Sequence, residues 1–170
     1  KYPLICVHIP KTAGRSVYKA LDIKDQDQGH GRLLDLKNLI KPNVYNEYKK
    51  IAIIRNPFDK FISTYLFFKS IKNEDKYFNN KNYTFEDWFW NLDVHISNIL
   101  PLTPGFNHFS WFPSLCHSSY DILLDENQNL NIDYILKFEN LNEDWKLMFN
   151  KLKINPPKLP VKYKTKRKHY

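Results

Sequence analysis

Two short apolar runs punctuate an otherwise mixed chain: Leu4-Ile5-Cys6-Val7-His8-Ile9 and Ile51-Ala52-Ile53-Ile54. Near-continuous runs of this length are the pattern of strands covered on both faces. Each gives way to a polar turn and then to residues spaced for a helix. After the first come Pro10-Lys11-Thr12-Ala13-Gly14 and a helix predicted from Arg15 to about Leu21. After the second come Arg55-Asn56-Pro57 and a helix predicted from about Asp59 to Ile71, with Phe58, Ile62, Tyr65 and Leu66 as its apolar stripe. Pro57 suits the first helical position, where its missing N–H has no partner to lose. Two such strand–turn–helix units predict an α/β domain on a parallel sheet.

Arg32 to Ile40 also shows helical periodicity, and Thr84 with Asp87 predicts a helix start running through Trp88, Phe89 and Leu92. Tyr120 to Leu124 and Ile132 to Phe138 read as strands flanking the turn Asp125-Glu126-Asn127-Gln128-Asn129. Asn140 and Glu143 have capping-box spacing ahead of a last helix through Leu147, Phe149 and Leu152. Pro156, Pro157 and Pro160 then stop regular structure. The aromatic-rich stretch from Pro101 to Ser119 has no clear period, and no internal repeat is present. The division expected is one domain over residues 1–157 and a tail over 158–170.

Composition narrows the classes. A chain of 170 residues, 42% hydrophobic and 26% charged, suits one folded domain rather than a disordered chain. Lys and Arg number 26 against 18 acids, a formal +8. Six of those cations (Lys158, Lys162, Lys164, Lys166, Arg167 and Lys168) lie in the tail, which holds no acid. The body is therefore nearly balanced, and a surface that coats nucleic acid is disfavoured. No apolar stretch approaches the roughly 18–20 residues of a membrane span, so no membrane segment is expected. The opening Lys1-Tyr2-Pro3 has neither a Met nor a signal-peptide pattern, as in a trimmed or mature piece. Cys6 and Cys116 make neither a disulfide framework nor a four-ligand metal site. Cys6 is expected to be a small buried residue, and no metal is expected.

Two segments carry chemistry. In His8-Ile9-Pro10-Lys11-Thr12-Ala13-Gly14-Arg15-Ser16, a tight turn leads from a strand to a helix N-terminus. Backbone N–H groups and the helix dipole there favour an anion. Lys11 adds a mobile charge, Thr12 and Ser16 add hydroxyls, and Gly14 allows close backbone approach. This is not the GxxxxGK[ST] nucleotide loop, because the lysine precedes the single glycine. In Arg55-Asn56-Pro57-Phe58-Asp59-Lys60-Phe61-Ile62-Ser63-Thr64-Tyr65, Arg55 leaves a strand end and Ser63 follows about two helical turns later. An Arg fork and a hydroxyl on one pocket could hold a phosphate. By itself, each segment also fits an ordinary turn or a solvated helix face.

Together, "HIPKTAGRS" and "RNPFDKFISTY" resemble the paired signatures of sulfotransferases that use 3′-phosphoadenosine 5′-phosphosulfate (PAPS), and in particular the carbohydrate branch with the heparan and chondroitin enzymes. "DYILKFENLNEDW", from Asp133 to Trp145, is similar to a later stretch of that branch. The resemblance implies a three-layer αβα fold with a P-loop-like parallel sheet flanked by helices, in a minimal version. It implies that Lys11, Thr12, Ala13, Gly14, Arg15 and Ser16 hold the 5′-phosphosulfate and that Arg55 and Ser63 hold the 3′-phosphate. Gly29-His30-Gly31-Arg32-Leu33-Leu34-Asp35 resembles the catalytic-histidine segment of uronyl 2-O-sulfotransferases, with Leu-Asp four and five residues after His30. Those enzymes carry two histidines separated by one residue; here Gln28 takes the earlier place.

The implied reaction moves a sulfuryl group from PAPS to a hydroxyl of a carbohydrate, with Lys11 and His30 catalytic and no metal. The tail residues Thr165 and Arg167 resemble a loop that closes over the nucleotide, and relatives continue into a further helix. His8 is expected to order the loop. Phe106, Phe109, Trp111 and Phe112 either stack on an acceptor sugar or close the core. The competing readings are a PAPS- or PAP-binding module with impaired catalysis and a nucleotide kinase. The compartment expected is the cytoplasm, with the Golgi lumen as the alternative for a chain trimmed of an anchor.

Overall fold

The two apolar runs pair with each other. In the computed structural model, which describes residues 2–23, 32–69, 84–91 and 118–160, they form strands β1 (Leu4–Val7) and β2 (Lys49–Ile54). Strand β3 (Tyr134–Lys137) completes the sheet in the order β1-β2-β3, with every pairing parallel. Val7 lies opposite Ala52, and Ile54 opposite Lys137. Because all three strands run the same way, their C-terminal ends share one edge, where open α/β sheets bind ligands.

The helices among the described residues are α1 (Gly14–Leu21), α2 (Leu33–Leu39), α3 (Pro42–Glu47), α4 (Pro57–Lys69), α5 (Phe85–Trp90), α6 (Ser119–Ile122) and α7 (Leu141–Lys151). Alternation along the strands divides the core in two. Leu4, Ile51, Ile53 and Leu136 face Val17 and Leu21 of α1 and Trp145, Met148 and Phe149 of α7. Ile5, Val7 and Ala52 face Leu33, Tyr45, Ile122 and Leu123 on the other side. The fold is therefore α/β in three layers, a parallel sheet between helices, consistent with a minimal sulfotransferase fold. Burial pushes the Cys6 thiol up to about 12, so it stays a neutral thiol within β1.

Local signals operate where sequence placed them, with informative exceptions. Thr84 caps α5 through a reciprocal box with Asp87. Asn56 accepts from the Phe58 N–H at 3.0 Å ahead of Pro57, and α4 begins there. Helix α3 begins at Pro42, a first-position proline that the sequence reading left unused. Tyr120 to Leu124 is not a strand. Ser118 caps the turn of α6 by accepting from the Asp121 N–H, which buries Ile122 and Leu123. A short apolar run does not by itself distinguish strand from helix. Across the turn that follows, Leu124 and Leu130 make an isolated antiparallel bridge. The capping box expected at α7 does not form: Asn140 makes no side-chain cap bond, and its amide donates to Asp144 at 2.9 Å, which also accepts from the Lys137 N–H at 2.7 Å.

Helix α4 departs furthest from expectation. Phe58 of the apolar stripe is 79% exposed, whereas Lys60, Ser63 and Thr64 are buried. Phe61 and Tyr65 turn instead toward Phe85, Trp88 and Phe89 of α5. A helix that buries its polar residues breaks the usual pattern, and such breaks collect at functional sites.

Candidate anion-binding site

The turn after β1 is held in an unusual backbone. Lys11 and Ala13 have φ of 65° and 71°, left-handed values that cost non-glycine residues free energy. Thr12 Oγ1 donates to the Ile9 carbonyl at 2.7 Å, fastening the turn to the strand that precedes it. Ala13 is the N-cap of α1 and supplies no side-chain hydrogen bond, and the first helical turn holds no acid. The positive end of the α1 dipole therefore faces the turn without a carboxylate of its own to offset it.

Gly14 is required by what lies on its inner side. A Cβ there would fall 1.8 Å from His8 Nε2, so the imidazole occupies the space a side chain would take. His8 also meets Tyr18 edge to face, with ring centroids 4.8 Å apart. The buried His8 thus wedges between the start and the second turn of α1.

The second segment meets the first directly. Arg55, at the end of β2, donates from Nη1 to the Lys11 carbonyl at 2.9 Å. Its guanidinium carbon lies 4.0 Å from the centroid of Phe138, in the 3-10 turn Phe138–Asn140 that follows β3. Glu139 Oε1 accepts from the Asn56 N–H at 2.7 Å. The ends of all three strands are thus tied into one cluster. The Lys11 ammonium lies 4.2 Å from the centroid of Phe67, on α4. Burial first, and then the charges of Arg55 and Arg15, lower its pKa to about 8. Cations gathered on one edge beside a helix N-terminus are suited to an anion of more than one charge.

Of the residues singled out from sequence, Lys11, Thr12, Ala13, Gly14, Arg15 and Ser16 form the turn and the first helical turn, with Arg55 bonded to it. Ser63 lies on α4 and is buried. His30, Thr165 and Arg167 lie outside the described residues, as do Phe106, Phe109, Trp111 and Phe112. The sequence reading did not anticipate Phe67, Phe138 or Glu139. Nor did it anticipate buried Lys60, one helical turn before Ser63 and on the same face. For Phe138 and Glu139 a signal existed, because the matched "DYILKFENLNEDW" segment contains both. Phe67 and Lys60 could be found only from the packing of α4.

Among the described residues, no group of three or more His, Cys, Asp or Glu could hold a metal ion. No helix among them is long and apolar enough to cross a membrane. A sequence model of the Sulfotransferase family matches residues 1–169, almost the full chain. No curated protein and no solved structure matches significantly. With a parallel sheet that brings both signature segments to one cationic edge, the chain belongs to the sulfotransferase family, whose members transfer sulfuryl groups.

Proposed function

We propose that this chain is a PAPS-dependent O-sulfotransferase acting on a carbohydrate. The observation that carries the reading is the bond from Arg55 to the Lys11 carbonyl, which joins the two segments that resemble the 5′-phosphosulfate and 3′-phosphate signatures. In this reading the N–H groups of Thr12 to Gly14 and the start of α1 receive the 5′-phosphate, with Arg15 and Ser16 beside them. The Thr12 hydroxyl proton is engaged by Ile9, so Thr12 contributes chiefly its backbone N–H. Arg55 and Ser63 take the 3′-phosphate, and this selects PAPS over donors that lack it. Thr165 and Arg167 close over the nucleotide.

The reaction is an in-line displacement at sulfur. The acceptor oxygen forms its bond to sulfur as the bond from sulfur to the 5′-phosphate oxygen breaks, leaving PAP. Lys11 stabilises the charge that grows on the departing phosphate oxygen, the place where such charge is worth most to neutralise. His30 accepts the proton of the acceptor hydroxyl, a task suited to a neutral imidazole. The heparan and chondroitin branch is supported by the wording of the two motifs and by the His30 segment, and a glycan bearing free hydroxyls is the acceptor class.

Two measurements test this. Calorimetric titration with PAP should give saturable binding, and labelled PAPS should sulfate a member of a glycan panel. Absence of PAP binding would overturn the assignment. PAP binding without transfer to any glycan would favour a binding module instead. His30→Ala should slow transfer while sparing PAP affinity.

A further inference from the structure

Lys11 holds a left-handed backbone that a lysine adopts only under constraint. Its carbonyl is the group that Arg55 grips, from 44 residues away in sequence. Arg55 is in turn backed by the face of Phe138, and its neighbour Asn56 is fastened to Glu139. The end of β3 thereby holds the guanidinium where it reaches the turn after β1. A guanidinium has five N–H donors in a rigid fork, so it can hold a carbonyl and an anion at once.

Resting on the function proposed above, we infer that Arg55 has a second role, which is to position the Lys11 turn for the 5′-anion, with Phe138 as the positioning residue that keeps Arg55 in that pose. The 5′ site then depends on Arg55 even for a nucleotide with no 3′-phosphate. Filling either site favours the other, because both draw on the same guanidinium pose. A residue that served only the 3′-phosphate would have no such reach.

The test compares PAP with 5′-AMP, which lacks the 3′-phosphate, by calorimetry on the whole protein. Wild type should bind both, PAP more tightly. Arg55→Ala should weaken 5′-AMP by about tenfold, the equivalent of about 1.4 kcal/mol, as well as weakening PAP. Phe138→Leu should weaken both nucleotides, and Phe138→Tyr, which keeps the aromatic face, should restore them. In Arg55→Ala the pH above which affinity falls should move upward, since one of the charges that lowers the Lys11 pKa is gone. Rescue by Phe138→Tyr is the readout that general loosening of the fold would not produce. Circular dichroism checks folding, and if Arg55→Ala does not fold, the Phe138→Leu and Phe138→Tyr pair decides. Unchanged 5′-AMP affinity in folded Arg55→Ala or in Phe138→Leu overturns the inference while leaving the proposed function standing. Failure of wild type to bind PAP overturns the proposed function itself.

Discussion

If Lys11 meets the 5′-anion, the affinity for PAP must depend on pH in a way set by its environment. The free protein holds Lys11 with a pKa of about 8, lowered first by burial and then by the charges of Arg55 and Arg15. Keeping it protonated costs the free protein on the order of 3 kcal/mol relative to a solvated lysine. A phosphate placed against the ammonium reverses that balance and returns the pKa toward the ordinary 10.5. The sign follows. Below pH 8 Lys11 already carries its proton and binding is independent of pH; above pH 8 the proton must be taken up on binding, so affinity falls. At pH 9 this gives PAP binding about tenfold weaker than at pH 7, with about 0.9 proton taken up per nucleotide. Calorimetry at pH 7, 8, 9 and 9.5, in buffers of different ionisation enthalpy, measures both quantities. Lys11→Arg, charged throughout this range, should lose the pH dependence, and Lys11→Gln should bind weakly at every pH. A wild-type affinity that stays flat from pH 7 to 9.5 would refute the reasoning. So would a slope that survives in Lys11→Gln.

Three further outcomes concern the frame of the site. Gly14→Ala should destabilise by about 1–3 kcal/mol in urea titration, because its Cβ meets His8. The His8→Ala, Gly14→Ala double variant should lose less than the two single changes combined, and strict additivity would show that the contact is not what makes Gly14 necessary. Asp133 accepts from the Lys49 ammonium and the Lys50 N–H, each at 2.8 Å; burial opposes its ionisation, but these bonds outweigh that and hold its carboxyl below the usual range. Its contribution is present above the ordinary carboxylate pKa and is lost as pH falls through the lowered one, so Asp133→Asn should cost about 1 kcal/mol near pH 7 and make the acid fall of a thermal-stability profile shallower. Trp145 is buried and donates its indole N–H to the Pro157 carbonyl at 2.9 Å. Trp145→Ala should cost about 3–5 kcal/mol, and Trp145→Phe clearly less, by denaturant unfolding.

The chain order alone made the parallel sheet, the turn after β1, the Arg55 segment and the starts of α4 and α5 legible. Each depends on residues within a turn or a strand of one another: an apolar run, a proline at a first helical position, an Asp three residues after Thr84. The same local logic failed at Tyr120–Leu124, where a short, mostly apolar stretch fits either state and the Ser118 cap decided for helix. It failed again on α4, where it marked Phe58 as part of the inward stripe although the helix turns Lys60, Ser63 and Thr64 inward. Periodicity assigns apolar faces to the interior and has no means of representing a polar face drawn toward a site.

Sequence by itself thus determined which segments resemble the family's anion-binding signatures and the class of layered fold that holds them. The tertiary structure decided how they meet. The central place of β2 puts Arg55 within reach of the Lys11 carbonyl and of Phe138, and the packing of α4 sets Phe67 under the Lys11 ammonium. His8 fills the space left by Gly14. Those contacts arise from strand order and sheet register, which are settled by the burial of the whole core at once and leave no mark in any local stretch of sequence.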